Sequence, residues 1–570
     1  MNHRFGRPTI KQIVLYTLLM VAALAVVVLY MAGGNEVFDG SGEKEPTYTY
    51  EDTVTLPMHS VRTLNPATST DEDTYFIAPL LYGSLFKLNP SMTPEMDLAE
   101  SYTFDPGSSS ITITLKDATW QDGEPVIGYD VVFSIEVYRL AGKDCNYKSM
   151  IDKIGYVQSD GKTVTIYFNE DEDMGLDLLT FPVLPSHLYS YYGEAMTTSE
   201  TFKPMGNGPY KVKSYDPSDR LILEPNEDYY GVVPTNTVTF DTEGMKGDPY
   251  QRLQASGVSL MVSKDADRET FITKKDVTIT DFPANKVEFV GFNCKSGAFA
   301  DRDVRRAVCY AIDCDSIIDM QYYGSGMRND GMFFPGYMGI DSSQPTYPFD
   351  LKKAEEELAE AGYKETDENG NIINKAGEPL TVVIPVNKKD DEKMGSAETV
   401  AESLEELGIE VTIVPLEKSE YYAALKAGNF DMYFGSYTFD TCMDMRALFG
   451  FEDTNYAGYD NDGLVELLTQ LRSGSSIEEM TDLVKRIREI MVNDVPYYCI
   501  MYHTYGAIAS STFDGVPTPV WNNYYYNCPE WRSKFVQGEE TDEQEQSDEE
   551  GGSDEENESD EESDSEEDGE

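Results

Sequence analysis

The sequence predicts an α/β protein, and three features carry that prediction. Ser110–Leu115 (SITITL) and Thr163–Phe168 (TVTIYF) alternate apolar and polar side chains, the period of two expected of a half-buried strand. Four other segments, Tyr129–Leu140, Asp303–Ile312, Lys352–Ala361 and Glu398–Leu407, read as helices. Thr381–Pro385 (TVVIP) and Glu410–Val414 (EVTIV) flank the last of these, and strand–helix–strand order points to a parallel βαβ unit.

Each element has its own local reason. The strand at Ser110–Leu115 runs into a polar connection, Lys116–Gly123 (KDATWQDG), before the helix YDVVFSIEVYRL. In the 352–361 helix, Ala354, Leu358 and Ala361 fall at helical spacing, and Gly362 supplies a C-terminal stop. Arg305 and Arg306 open the 303–312 helix, where Asp301 or Asp303 can pair with them.

Length and charge bound the rest. The chain has 570 residues, enough for two or three domains of ~100–200 residues each. Its net charge is −59, of which 20 negative charges lie beyond residue 538, leaving −39 on residues 1–538. So acidic a body argues against nucleic acid and anionic lipid as partners. Thirty-nine tyrosines against 3 tryptophans suit an exposed body that handles small ligands.

The seven cysteines, Cys145, Cys294, Cys309, Cys314, Cys442, Cys499 and Cys528, include no CxxC pair, and Cys309 and Cys314 match no common zinc spacing. Buried free thiols and some disulfides both remain open, with at least one thiol left over. Four histidines, His3, His59, His187 and His503, are scattered without evident partners. No Walker A, GxSxG or HExxH pattern occurs, and Gly206-Asn207-Gly208 lacks the rest of a phosphate-binding loop. Neither a metal nor a cofactor is expected, and no enzymatic constellation stands out.

Both ends are distinctive. Ile13 to Ala32 is a run of twenty uncharged residues, preceded by Arg4, Arg7 and Lys11 and followed by Glu36 and Asp39. At ~1.5 Å per residue such a helix spans a bilayer of ~30 Å. The charge bias puts residues 1–12 in the cytoplasm and the body outside. A cleaved signal peptide is the rival, but the run is long for one and ends Tyr30-Met31-Ala32, a poor cleavage match. An uncleaved signal anchor is therefore expected, placing a single-pass protein in the cell membrane with an extracytoplasmic body. Residues 33–50 read as a spacer. Residues 537–570 form an acidic tail without a large aliphatic or aromatic side chain, expected to be disordered.

Several segments, in order, resemble the family 5 solute-binding proteins of ABC importers, the oligopeptide- and dipeptide-binding group. Leu64-Asn65-Pro66-Ala67 resembles the family's "LDPA", Leu80–Leu85 its "lyEgL" without the acid, and Leu98–Tyr102 its "LAeSW". Trp120–Pro125 (WQDGEP) and Tyr129–Ser134 (YDVVFS) resemble "WhDGeP" and "aeDVvfS". Gly206–Tyr210 (GNGPY), Asn226–Tyr230 (NEDYY), Phe299–Asp313 (FADRDVRRAVCYAID), Ala354–Tyr363 and Gly428–Ser436 (GNFDMYFGS) continue the series. Most of these residues read as fold-makers: Trp120 as a packing aromatic on a turn, Asp130 as a helix N-terminal acid.

The resemblance implies a two-lobed periplasmic-binding-protein type II-like fold, α/β with mixed sheets, an extra small domain and a cleft between the lobes. Lobe one would comprise residues ~51–75, ~205–285 and ~505–536, the small domain ~76–204 and lobe two ~286–504 of a body spanning 51–536. It implies hinge closure around a small ligand, a peptide above all, which is then delivered to an ABC permease and its ATPase by a monomeric binding protein. In peptide-binding members a "SWxaD" segment follows the "gdyDm" strand, and its Asp takes the ligand's α-ammonium. Here it reads Ser436-Tyr437-Thr438-Phe439-Asp440, with Tyr437 in the Trp position and Asp440 in the Asp position. The candidate ligand-binding set is Asp440, Tyr437, Ser436, Thr438, Thr70 and Tyr82. Thr441-Cys442-Met443-Asp444 departs from the family's "ydDP", so a non-peptide ligand (a metal chelate, a sugar, an opine) and a ligand-presenting sensory role stand as alternatives.

Overall fold

The computed structural model describes residues 47–169, 173–199, 202–450 and 454–536. The anchor at 13–32, residues 1–12, most of the spacer, the acidic tail and His3 lie outside the described residues. Residues 50–534 form one compact unit, and everything below belongs to it.

The chain opens with β1 (Thr53–Pro57), which waits some 180 residues for its partner strand. It next builds a four-stranded antiparallel sheet in the order β2-β3-β5-β4, from β2 (Ala99–Asp105), β3 (Ser110–Leu115), β4 (Ile154–Asp160) and β5 (Thr163–Phe168). Ile111, Ile113 and Leu115 and, across the sheet, Val164 and Ile166 point into the core, as the alternation predicts. The helix α1 (Gly128–Ala141) covers this layer and coincides with the 129–140 prediction. Trp120, Tyr138 and Phe181 fill the space beneath it.

β6 (Tyr210–Tyr215), β7 (Arg220–Pro225) and β8 (Thr237–Asp241) then complete a second sheet, where β1 pairs with β8 in parallel. Gly206 and Gly208 let the backbone press against Leu81: a Cβ on Gly206 would meet the Leu81 carbonyl oxygen at 1.8 Å, while Gly208 donates its N–H to that oxygen at 2.9 Å.

The third sheet joins the two ends of the body. β9 (Leu260–Ser263), β10 (Thr278–Phe292), β13 (Met432–Thr438) and β14 (Tyr497–Ala509) pair in the order β9-β14-β10-β13. β10 is 15 residues long and β14 is 13; β14 pairs with β9 near its C-terminal end, and β10 pairs with β14 along its length and with β13 over its C-terminal half. Around them pack α2 (Arg302–Cys309), α3 (Leu351–Glu360) and a parallel pair, β11 (Thr381–Asn387) and β12 (Glu410–Leu416), with α4 (Asp391–Glu406) between them. The βαβ reading holds, but α4 starts seven residues earlier than predicted. Asp390 caps it by accepting the Lys393 N–H at 3.1 Å, and Asp391 and Glu392 fill its first turn.

Two other expectations are corrected. Arg306 does pair with Asp303, at 3.4 Å, but Arg305 makes no acid pair among the described residues. It is buried and donates to main-chain carbonyls, Phe299 at 2.7 Å and Asp494 and Val495 at 3.0 and 3.1 Å, tying the start of α2 to the turn before β14. Three histidines have carboxylate partners: His59 with Asp73 at 2.9 Å, His187 with Asp122 at 2.8 Å and His503 with Glu288 at 2.8 Å. These partners lie 14, 65 and 215 residues away along the chain, so no local pattern signals them. All seven cysteines are free thiols, and six are buried.

Candidate functional site

β13 is an edge strand, paired with β10 on one side, with Thr438 opposite Lys286 and Ser436 opposite Glu288. Alternation leaves Ser436 and Thr438 exposed and Tyr437 half-buried. The next residue, Phe439, is buried and held at both main-chain groups by Asn285: its N–H donates to the Asn285 carbonyl at 2.8 Å, and the Asn285 side-chain amide donates to its carbonyl oxygen. Phe439 also packs on Tyr437, ring centroids 4.8 Å apart, and stacks on Tyr502 at 6.3 Å. That anchoring delivers Asp440 to the end of the strand in a defined position.

Asp440 then opens a turn. Its Oδ1 accepts the Cys442 N–H at 2.9 Å, and Met443, the residue after Cys442, is left-handed at φ 50°. The side chain remains accessible to solvent, yet the protein packed around it disfavours the charged form and raises its pKa above the usual 3.8. The charges of Asp177 and Asp444 push the same way, while the Cys442 N–H and Arg472 pull it down.

Asp440 faces a cleft of about 400 Å³. The other walls come from distant stretches of chain: Thr70, Glu72, Tyr75 and Phe76; Asn146, Ser149 and Met150; Lys264 and Asn285; Tyr505; Trp521 and Tyr524. Aromatic side chains dominate. Phe76 stacks on Tyr524 at 3.7 Å, and burial pushes the Tyr75 hydroxyl up to about 12. Lys264 pairs with Glu72 and lies 5.7 Å from the centre of the Tyr505 ring. The indole N–H of Trp521 is buried without a hydrogen-bond partner among the described residues. Main-chain and side-chain polar groups set among aromatic walls suit a small ligand with one cationic end.

Behind Asp440 lies a buried ionic cluster. Arg472 makes a bidentate pair with Asp177, at 3.0 and 2.9 Å, and Arg446 bridges Asp173 at 2.8 Å and Asp444 at 2.7 Å. Arg472, Asp173 and Asp177 are each about nineteen-twentieths buried.

The structure unites only part of the predicted set. Thr70 and Asp440 line the same cleft. Ser436 and Tyr437 line a neighbouring pocket of about 220 Å³, walled by Tyr421, Tyr433 and Tyr456 with Lys393 and Lys418. Thr438 is exposed between the two and lines neither. Tyr82 is buried in the wall of a third pocket, about 480 Å³, beside Tyr230 and Tyr525. Asn285, Trp521, Lys264 and the Arg472–Asp177 pair have no motif around them that would mark them as site residues. Only the motif-bearing wall of the cleft could be read from the sequence. Among the described residues no group of three or more His, Cys, Asp or Glu side chains is placed to hold a metal ion.

Comparison with known proteins gives this geometry its context. Residues 93–458 match the family model described as bacterial extracellular solute-binding proteins, family 5 middle. The oligopeptide-binding protein AppA of Bacillus subtilis is 24% identical over 508 residues, covering 85% of this chain and 93% of that protein. Among solved structures, the unliganded open form of the periplasmic murein tripeptide binding protein MppA superposes with a TM-score of 0.69 at 19% identity, covering 86% of this chain and 99% of that one. HbpA2 of Haemophilus parasuis gives 0.65 at 19% identity, covering 83% and 99%, and the ABC transporter substrate binding protein CtaP of Listeria monocytogenes 0.60 at 20%, covering 85% and 99%. The shared fold is the two-lobed periplasmic-binding type with mixed sheets, as the sequence predicts.

Proposed function

Because this chain belongs to the family 5 bacterial extracellular solute-binding proteins, we propose that it captures peptides in the Asp440 cleft and hands them to an ABC permease driven by its ATPase. The carrying observation is Asp440 itself. It is a solvent-reached carboxylate with a single hydrogen-bond donor in the described structure, set at the end of an edge strand. A ligand ammonium placed there forms a charge-assisted hydrogen bond and fixes the ligand's polarity. The ligand main chain then lies along Ser436–Thr438 by strand addition, which gives affinity without reading side chains. Thr70 contributes from the opposite wall, and Ser436 and Tyr437 lead the ligand toward the pocket beside them. Tyr82, buried in a separate pocket, acts on the ligand only through the fold.

The long strands β10 and β14 support a hinge. They connect lobe one (~51–75, ~205–285, ~505–536), with its small domain (~76–204), to lobe two (~286–504), so a small change along them swings one lobe on the other. The protein works as a monomeric binder, without catalysis and without nucleic acid. Residues 13–32 hold it in the cell membrane with the body outside, a role resting on sequence alone; among the described residues no helix is long and apolar enough to cross a membrane.

The test is native mass spectrometry of the full-length protein purified under non-denaturing conditions from its own membranes. Bound peptides with free amino termini are the expected outcome. A metal chelate, sugar or opine in the cleft would contradict the peptide reading.

A further inference from the structure

The turn that carries Asp440 is pinned from behind by one guanidinium. Cys442 donates its N–H to Asp440 Oδ1 at 2.9 Å, and its carbonyl oxygen accepts from Arg472 Nη1 at 3.2 Å. Arg472 in turn is locked to both oxygens of Asp177, 295 residues away along the chain. The Met174 N–H donates to the Arg472 carbonyl at 2.9 Å, so main chain and side chain are both fixed. Neither Arg472 nor Asp177 lines the cleft, and neither can touch a ligand there.

We propose that Arg472 and Asp177 are positioning residues for ligand capture, Arg472 holding the Asp440 turn against Asp177 so that Asp440 is placed to accept an amine. The proposal rests on the reading of Asp440 as that acceptor. The same cluster holds Arg446, which pairs with both Asp173 and Asp444, and Asp173 lies 3.6 Å from Arg472. Asp177 and Asp444 oppose its ionisation, and Arg472 favours it. The Cys442 thiol and Tyr337 hydroxyl face the same cluster, and burial pushes both up, so they stay neutral across the acid and neutral range. Across the cleft stand Glu72 and Lys264, paired with each other. In a medium of low effective dielectric, a charge a few ångströms away shifts a carboxylate's pKa by ~1–3 units.

The two partners therefore act on Asp440 with opposite sign, which separates positioning from mere bracing. Asp177→Asn removes a like charge and leaves Arg472 paired only with Asp173, at 3.6 Å, so Asp440 stays ionised to lower pH. Arg472→Met leaves Asp177 uncompensated and does the reverse. Arg472→Lys keeps the charge.

The experiment is calorimetry on the full-length protein from pH 4 to 8, with trialanine and N-acetyl-trialanine as probes. In wild type, affinity for trialanine falls as pH drops and Asp440 takes up a proton. The expected result moves the pH of half-loss down in Asp177→Asn and up in Arg472→Met, each by roughly 0.5–1 unit. Arg472→Lys should leave it near the wild-type value, and the acetylated probe should show none of these shifts. If Arg472→Met fails to fold, Asp177→Asn and Arg472→Lys still decide. Midpoints moving in the same direction in both charge variants, or not moving in Asp177→Asn, overturn the proposal. Failure of the underlying reading looks different: wild type would then bind the free and acetylated probes alike.

Discussion

Asp130 and Asp440 both sit in segments that resemble family motifs, and the fold holds them in opposite ways. Asp130 is 1% exposed and saturated: it accepts from the Trp120 indole at 3.2 Å, from the Ile127 N–H at 2.9 Å, and from both the N–H and hydroxyl of Ser186 at 2.9 and 2.6 Å. Asp440 is exposed to the cleft and takes a single N–H, from Cys442. A carboxylate has about four lone-pair sites. Where the protein fills them all, the group organises the fold, here joining a turn, the start of α1 and the loop at Ser186. Where it leaves them open in a concave site, the group is available to something else.

That contrast can be broken most severely at Asp130. Asp130→Ala strands the buried Trp120 indole N–H and the part-buried Ile127 and Ser186 main-chain N–H groups, and stability should fall by about 3–5 kcal/mol in a denaturant titration. The fraction that remains folded should bind ligand as before. A loss below about 1 kcal/mol would remove the distinction between saturated and open carboxylates.

Glu288 sharpens it, since it is buried like Asp130 but surrounded by cations. Burial alone would raise its pKa; the His503 hydrogen bond at 2.8 Å and the Lys393 and Lys286 ammoniums more than offset that and hold it below the usual 4.5. A carboxyl depressed in the fold stabilises fully above its unfolded pKa and loses that contribution as pH falls through its folded one. Glu288→Gln should therefore cost roughly 1–3 kcal/mol at pH 7. The gap to wild type should narrow steadily below the usual glutamate range. A gap constant from pH 7 to pH 3 would mean that the charge contributes nothing.

Legibility followed sequence distance. β3 and β5 alternate cleanly and were readable to the residue, and α1 and α3 to within one. The start of α4 was not, because DEKMGSA has no apolar period and its boundary is set by the Asp390 cap. In the site, the strand end at Ser436–Asp440 was readable because it is contiguous. The Arg472–Asp177 pair, Trp521 and Lys264 come from stretches that meet only once the sheets have formed, and a charged residue in a chain with 103 acids carries no local signal. Tyr82 shows the converse error: a residue inside a motif-like segment is buried as packing, its hydroxyl driven far up by burial.

Asp440 itself should matter least to folding and most to binding. The direct measurement is calorimetry at pH 7 on wild type and Asp440→Asn, each with trialanine and N-acetyl-trialanine. A hydrogen bond to a charged group contributes roughly 1.5–3 kcal/mol, so trialanine should lose about tenfold to a hundredfold in affinity. The acetylated peptide should bind wild type weakly and lose little more in the variant, while the melting temperature stays within about a degree. Equal losses for the free and acetylated peptides would contradict the account and take Asp440 out of the ligand site.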